Sequence, residues 1–147
     1  MNRFKRYFLV ILFLSMQLFS YSLTEKTYPD MKIKRVVRVY DGDTVYVDLY
    51  SNDSIIGDYI GIRIDGIDTP EIRGTKGNVK ILAIKAKYYV EIKCKNAKEI
   101  WIRNCHRDKY FRIRADLYID GKSIAEELIQ LGYAKPYHGE SKHSIWN

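Results

Sequence analysis

Alternation between apolar and polar residues in the segment 32–67 most constrains how this chain can fold. Val45, Val47 and Leu49 alternate with larger or polar side chains in "VYVDLY" (45–50), and "KIKRVVRVY" (32–40) is rich in β-branched valine. The dipeptide Asp41-Gly42 separates these two segments and is a strong hairpin signal. After a polar loop at 51–58, "YIGIRIDGI" (59–67) predicts a third strand.

The second half of the chain predicts a helix, two strands and another helix. Helical spacing covers 79–93, where Leu82, Ala86, Tyr89 and Val90 share one face. Strand patterns follow at 98–104 and 110–120, and a capping box at 123–126 opens a short helix before Pro136. This order predicts a β-rich α+β fold, namely an OB-fold with a five-stranded Greek-key barrel and two to three helices.

The first 22 residues have the layout of a secretory signal peptide. Arg3, Lys5 and Arg6 precede an apolar segment at 7–19, and small residues follow it. We therefore expect residues 1–22 to be a signal peptide and 23–147 to be one exported domain, either periplasmic or secreted. An uncleaved membrane anchor is the alternative, although the apolar segment is short of the roughly 20 residues that a membrane span needs. The basic flank argues against a buried core helix.

The charge of the chain permits a polyanionic partner without requiring one. The formal net charge is +7, and removal of the three basic residues in 1–22 leaves +4. A hydrophobic content of 46% with 29% charged residues suits one compact domain.

Cys94 and Cys105 are the two cysteines of the chain. The predicted elements place one at a helix end and the other at the far end of the next strand, too far apart for a disulfide, so we expect two free thiols. The sequence has no CxxC pair or His/Cys spacing that is typical of a zinc site. Neutral imidazole is not a favoured Ca²⁺ ligand, so we interpret His106, His138 and His143 as surface residues.

Three segments carry charged residues that a plain barrel does not need: 41–44, 63–71 and 107–112. Each has a simple explanation on its own, as a hairpin turn, a strand end with surface ion pairs and a solvated turn, respectively. Taken together, they contain the parts of a site that hydrolyses phosphodiesters.

Each of these parts has a chemical type suited to its role. Asp43, Asp68 and the Thr69 carbonyl are hard oxygen ligands of the kind that Ca²⁺ prefers. Glu71 can take a proton from an attacking water. Arg63 and Arg112 offer planar forks that match a phosphate and bind the charge of its transition state.

Three motifs of the chain resemble those of the thermonuclease (staphylococcal-nuclease-like) family in order and spacing: "VYDGDTVYVDL", "IRIDGIDTPE" and "RDKYFRIRADLYIDGKSIAEELIQLGYAKPY". The resemblance covers residues 36–137 and implies an OB-fold barrel with added helices. It also implies Ca²⁺-dependent hydrolysis of DNA and RNA that leaves 3′-phosphate ends. It assigns catalysis to Arg63, Glu71 and Arg112, calcium binding to Asp43, Asp68 and the Thr69 carbonyl, and contacts with substrate phosphate to Lys109 and Tyr110.

The chain also departs from the family pattern. Phe111 occupies a position where the best-known member has a glycine, and the "NCHRD" turn is shorter. The C-terminal helix is reduced to "ESKHSIWN" (140–147), which puts tail-dependent stability in question but leaves the catalytic set intact. For Tyr110 a core position at the barrel edge is an equally good interpretation, and Tyr137 and His138 receive no role.

These features predict an exported Ca²⁺-dependent nuclease with little sequence specificity. We expect a monomer without a stable protein partner, acting on DNA and RNA, with a preference for single strands or frayed A·T-rich duplex. A non-catalytic OB-fold module that binds single-stranded nucleic acid is the alternative, and it would have no use for the two aspartates, the glutamate and the two arginines together. A membrane-tethered structural domain is a third, weaker interpretation.

Overall fold

Five strands close into a barrel in the computed structural model, which describes residues 25–139 and Trp146. The signal peptide predicted for 1–22 lies outside these residues. The barrel strands are β1 (Met31–Val39), β2 (Thr44–Leu49), β3 (Ile60–Ile64), β5 (Ile100–Arg107) and β6 (Arg112–Ile119). Antiparallel pairings join β1–β2, β2–β3, β1–β5 and β5–β6, and a parallel pairing of β3 with β6 closes the barrel. The predicted OB-fold is thereby confirmed.

Short elements and helices surround the barrel. Strand β4 (Ile67–Asp68) pairs with β8 (Lys135–Pro136), and β7 (Lys122–Ser123) extends the sheet beside β6. Among the described residues there are three helices, α1 (Ser54–Gly57), α2 (Gly77–Asn96) and α3 (Ile124–Gln130). Helix α1 falls in the segment predicted to be a loop, where the Asp53 side chain accepts a hydrogen bond from the Ile55 N–H at 3.0 Å.

The barrel interior follows the alternation read from the sequence. Val45, Val47 and Leu49 of β2 are buried together with side chains from the other four barrel strands. Helix α2 packs through Ala83, Ala86 and Val90, so Ala83 and not the predicted Leu82 is its third fully buried contact. Two small alanines let the helix axis approach the barrel closely.

Asp48 is an exception to this alternation, because it is buried at a position predicted to face solvent. Its carboxylate accepts a hydrogen bond from the Tyr59 backbone N–H at 3.0 Å and pairs with Arg35 at 2.5 Å. The hydrogen bond from Tyr59, followed by those from Arg35, lowers the pKa of Asp48. The carboxylate therefore stays charged and anchors the backbone at the start of β3.

The ends of α3 and the two thiols lie where the sequence placed them. Ser123 accepts a hydrogen bond from the Glu126 N–H at 3.3 Å, and Gly132 follows the helix with a φ of +69°. Cys94 in the last turn of α2 and Cys105 near the end of β5 are both unbonded, and burial raises their pKa values to about 12 and about 11. Of the helices in residues 25–139, none has the length and apolar character that a membrane crossing requires.

A carboxylate on α3 fastens this helix to α2. Glu127 accepts hydrogen bonds from Tyr89 Oη and Lys93 Nζ, each at 2.9 Å. Burial opposes its charge, but these two hydrogen bonds prevail and hold the pKa of Glu127 below 4.5. This contribution to stability is thus complete above pH 4.5 and is lost as the pH falls through the lower pKa of the folded state.

We predict that Glu127→Gln lowers the free energy of unfolding by about 1–2 kcal/mol at neutral pH, measured by urea denaturation, because hydrogen bonds to a charged group are lost. The difference from the wild type should shrink at acidic pH. Glu91→Gln is the matched control, since Glu91 pairs with Lys87 of the same helix at 3.6 Å on the surface and should change stability by less than about 0.5 kcal/mol. Equal effects of the two variants would contradict this account.

Candidate active site

Arg63 connects two buried carboxylates that lie far apart in the sequence. Its Nη1 lies 2.5 Å from Asp43 Oδ1, and its Nη2 lies 3.2 Å from Asp68 Oδ1. Nη2 also donates to the Ile67 carbonyl at 3.1 Å. Asp43 immediately precedes β2, Arg63 lies in β3 and Asp68 ends β4, so the barrel brings three strands together at this point. Buried carboxylates are tolerated here because each is paired and hydrogen-bonded.

Gly42 and Thr69 fix the position of Asp43. A Cβ atom on Gly42 would lie 2.6 Å from Ala86 Cβ and 2.8 Å from Thr69 Cγ2, so only glycine fits between the turn and α2. The Thr69 N–H donates to Asp43 Oδ2 at 2.9 Å. Thr69 Oγ1 is buried and has no hydrogen-bond partner among the residues that the structure describes.

Asp41 belongs to the same cluster, although the sequence indicated only a turn residue there. Burial, and next the negative charge of Asp43, raise the pKa of Asp41 to about 7. Its side chain accepts a hydrogen bond from the Asp43 N–H at 3.2 Å. The two aspartates of "DGDT", two positions apart, were the only sign in the sequence that Asp41 belongs to this cluster. The raised pKa of Asp41 depends on burial, which the sequence does not reveal.

Arg112 is held by an ion pair with Asp108 across the turn between β5 and β6, and two of its nitrogens approach the same carboxylate oxygen. Its Nε and Nη2 lie 2.9 Å and 2.8 Å from Asp108 Oδ2. In the parallel pairing, Arg112 lies beside Gly61 of β3, where a Cβ would lie only 3.0 Å from Arg112 Cγ. Because Gly61 has no side chain, the aliphatic part of Arg112 can lie across β3. Asp108 holds the guanidinium of Arg112 in place.

One cavity of about 1270 Å³ brings six of the eight predicted site residues together. Asp68 and Thr69 are not among its lining residues but lie buried behind it, in contact with Arg63 and Asp43, respectively. The other lining residues include additional arginines, several tyrosines and His138. The six are Asp43, Arg63, Glu71, Lys109, Tyr110 and Arg112.

The turn that carries Tyr110 has an unusual backbone. Tyr110 and Phe111 have φ values of +55° and +59°, a conformation that favours glycine, and their exposed fractions are 88% and 70%. The exposure of Tyr110 excludes the core position that was an equal interpretation of the sequence. Phe111 adopts a left-handed backbone conformation that glycine would adopt without strain, so the absence of glycine at this position places strain on the turn.

We predict that Phe111→Gly raises the free energy of unfolding by about 0.5–1 kcal/mol, because relief of the left-handed strain outweighs the added freedom of the unfolded chain. Phe111→Ala is the matched control, since it removes the ring but keeps the Cβ that causes the strain. Denaturation by urea measures both. The strain argument would be overturned if the free energy of unfolding of Phe111→Gly were lower than that of Phe111→Ala.

The donors available for a cation are few. Within residues 25–139 and Trp146, no three or more His, Cys, Asp or Glu side chains are grouped as a metal site. The predicted set has two carboxylates, Asp43 and Asp68, and relies on the Thr69 carbonyl and water for the remaining positions.

Comparison with known proteins agrees with this architecture. A family model described as "Staphylococcal nuclease homologue" matches residues 61–145, which is more than half of the 147-residue chain. An uncharacterized protein of Methanocaldococcus jannaschii is 33% identical over 126 residues. The alignment covers 70% of this chain and 58% of that relative, so the chain spans less than two thirds of the relative's length. The resemblance inferred from the three motifs is confirmed, and the chain belongs to the staphylococcal nuclease homologue family.

Proposed function

We propose that this protein is an exported, Ca²⁺-dependent nuclease that hydrolyses DNA and RNA with little sequence specificity and leaves 3′-phosphate ends. Membership of the family supports a nuclease or nucleic-acid-binding function in general. The observation that carries the catalytic proposal is the single cavity that joins Glu71 and Arg112 to the Asp43–Arg63 pair. Export rests on the signal-peptide pattern of residues 1–22 alone.

The chemistry of the donors fits Ca²⁺. Asp43, Asp68 and the Thr69 carbonyl would hold the ion, and all three residues are buried next to the cavity. Hard carboxylate and carbonyl oxygens suit Ca²⁺ better than a softer metal. When bound, the ion would supply positive charge that neutralises a phosphate oxygen.

Glu71 is the residue best suited to act on water. It is exposed, lines the cavity and follows Pro70, and its backbone carbonyl accepts a hydrogen bond from the Thr75 hydroxyl. A carboxylate at such a position can accept the proton of an attacking water, a role that typically contributes about 10²–10⁴ in rate. Arg63 and Arg112 would bind charge and not transfer protons, because the guanidinium group offers only hydrogen-bond donors and no acceptor.

Arg112 and Lys109 would bind the phosphate of the substrate. Asp108 orients the Arg112 fork without burying it, since about a third of the side chain (31%) remains exposed to the cavity. A guanidinium that is already positioned binds the charge that develops on the phosphoryl oxygens at little further cost. Arg63 differs, because both of its terminal nitrogens contact carboxylates in this structure.

The cavity suits a partner that is recognised by charge and by stacking. Cationic and aromatic side chains both line it. Phosphate contacts and base stacking carry little sequence information, which favours weak sequence specificity and a preference for single strands or frayed duplex. We further propose that the protein acts as a monomer without a stable protein partner.

The test is to incubate the purified protein with single- and double-stranded DNA and with RNA, in Ca²⁺ or in EDTA, and to size the products and map their ends. We expect cleavage with Ca²⁺, loss of cleavage with EDTA and 3′-phosphate products. Arg112→Ala should lose about 10²–10³ in rate. Arg103→Ala, which removes a surface cation paired with Asp30 at 3.7 Å, is the matched control. Binding without cleavage in any of these conditions would favour the non-catalytic OB-fold module.

A further inference from the structure

Three tyrosines form a connected aromatic surface on one wall of the cavity. The rings of Tyr46 and Tyr59 are stacked, with centroids 4.7 Å apart and an interplanar angle of 21°. Tyr40 meets Tyr46 edge-to-face at 6.4 Å. All three line the cavity that contains the predicted catalytic residues, and we call them the tyrosine shelf. No role was assigned to any of them from the sequence.

The backbone holds Tyr59 in place at this shelf. Its φ is +56°, a left-handed conformation that an aromatic residue rarely adopts. Its N–H donates to Asp48, the buried carboxylate that is paired with Arg35. Although one ring face is stacked on Tyr46, 51% of Tyr59 is exposed. A strained backbone fixed by a buried charge, which presents a half-exposed ring to a cavity, indicates a functional role.

The shelf lies directly beside Arg112. Tyr46 of β2 is paired with Gly61 of β3, and Gly61 is paired in turn with Arg112 of β6. A Cβ on Gly61 would lie 3.4 Å from Tyr46 Cε1 and 3.0 Å from Arg112 Cγ. Tyr46, Gly61 and Arg112 thus form a row across three adjacent strands, and the glycine allows the ring and the guanidinium stem to approach each other.

The charge around the shelf favours an anionic polymer. The Arg38 guanidinium lies 5.2 Å from the centroid of the Tyr40 ring and also lines the cavity. Aromatic faces beside cations provide the combination that binds single-stranded nucleic acids, since bases stack on the rings while phosphates contact the arginines. In a duplex the bases are already stacked and paired, so they cannot offer a free face without unstacking.

We propose that the tyrosine shelf is a subsite for an unpaired nucleobase next to the phosphate that Arg112 binds, with the base stacked against Tyr59. The position of the phosphate rests on the proposed function, whereas the stacking surface does not. The substrate class selected by this subsite is single-stranded DNA or RNA, or the unpaired end of a duplex.

The experiment compares binding of two short fluorescent single strands in EDTA, one with all its bases and one with abasic sites in their place. Tyr59→Asn is the first variant, because asparagine tolerates a left-handed φ better than most residues. It should bind the strand with bases about 5- to 100-fold more weakly and the abasic strand as the wild type does. Tyr59→Trp should retain binding. Tyr88→Ala, which removes an exposed tyrosine of α2 that is not among the cavity-lining residues, should change neither.

The outcomes separate this proposal from the proposed function. Unchanged binding of both strands by Tyr59→Asn overturns the shelf, even if the wild type cleaves DNA. Equal loss for both strands also overturns it, because such a loss reflects charge or folding and not stacking; circular dichroism of Tyr59→Asn checks the latter. A loss confined to the strand with bases supports the shelf, even if the wild type proves inactive as a nuclease.

Discussion

Arg63→Ala should lower the free energy of unfolding by about 3–5 kcal/mol, because it leaves the buried carboxylates of Asp43 and Asp68 without their shared counter-charge. The side chain of Arg63 is only 12% exposed, and those of Asp43 and Asp68 are 6% and 2% exposed, so the three charges lie largely out of bulk water. Urea denaturation at neutral pH, followed by circular dichroism, measures the loss. Activity should disappear in the same variant.

Second-site changes reveal the cause of this loss. Arg63→Ala combined with Asp68→Asn should recover part of the stability, since one of the two buried carboxylate charges that Arg63 offsets is removed. Arg103→Ala is the matched control, because it removes an arginine from a surface pair and should cost less than about 1 kcal/mol. If Ca²⁺ binds these carboxylates, it should stabilise Arg63→Ala more than the wild type. A loss in Arg63→Ala no larger than that of the control would show that the ion network does not stabilise the fold.

Glu71→Gln should reduce kcat by two to four orders of magnitude, on the order of the usual contribution of a general base, while stability changes by less than about 0.5 kcal/mol. Glutamine keeps the size of the side chain but cannot accept the proton of the attacking water. Glu71 is exposed, so the substitution disturbs no core packing. Steady-state cleavage of single-stranded DNA in Ca²⁺ gives kcat and KM separately, and KM should change little.

Glu99→Gln is the control for loss of a carboxylate alone. Glu99 immediately precedes β5, forms a surface pair with Lys32 of β1 at 3.2 Å and is not among the residues that line the cavity. The kcat of Glu99→Gln should equal that of the wild type. Full activity in Glu71→Gln would remove Glu71 from the proposed mechanism and require a different base.

Much of the fold could be predicted because it depends on local patterns. The alternation at 45–50 gave the buried face of β2 correctly, and the capping box at Ser123 gave the start of α3. The order of strands and helices matched the OB-fold arrangement, and the resemblance of the three motifs to the family implied the same barrel. Among the site residues, the six that line the cavity were identified through chemical type and through the resemblance of their motifs.

The remainder depends on long-range contacts that leave little trace in the sequence. Strands β4 and β8 have two residues each, too few for a periodic signal, and they exist only because the chain returns to the same place. Asp48 is buried because Arg35 and the Tyr59 N–H reach it from neighbouring segments. The tyrosine shelf likewise depends on the register of β2 against β3 and of β3 against β6.

The parallel pairing of β3 with β6 has a consequence for how the protein matures. These strands lie far apart in the chain, so joining them requires closure of a long loop and should be among the slower steps of folding. Arg63 and Arg112 lie on the two sides of this seam, and neither half of the barrel holds both. The proposed nuclease activity should therefore emerge only once the seam has closed, so a newly made or partly folded chain should not cleave the nucleic acids of the cell that makes it.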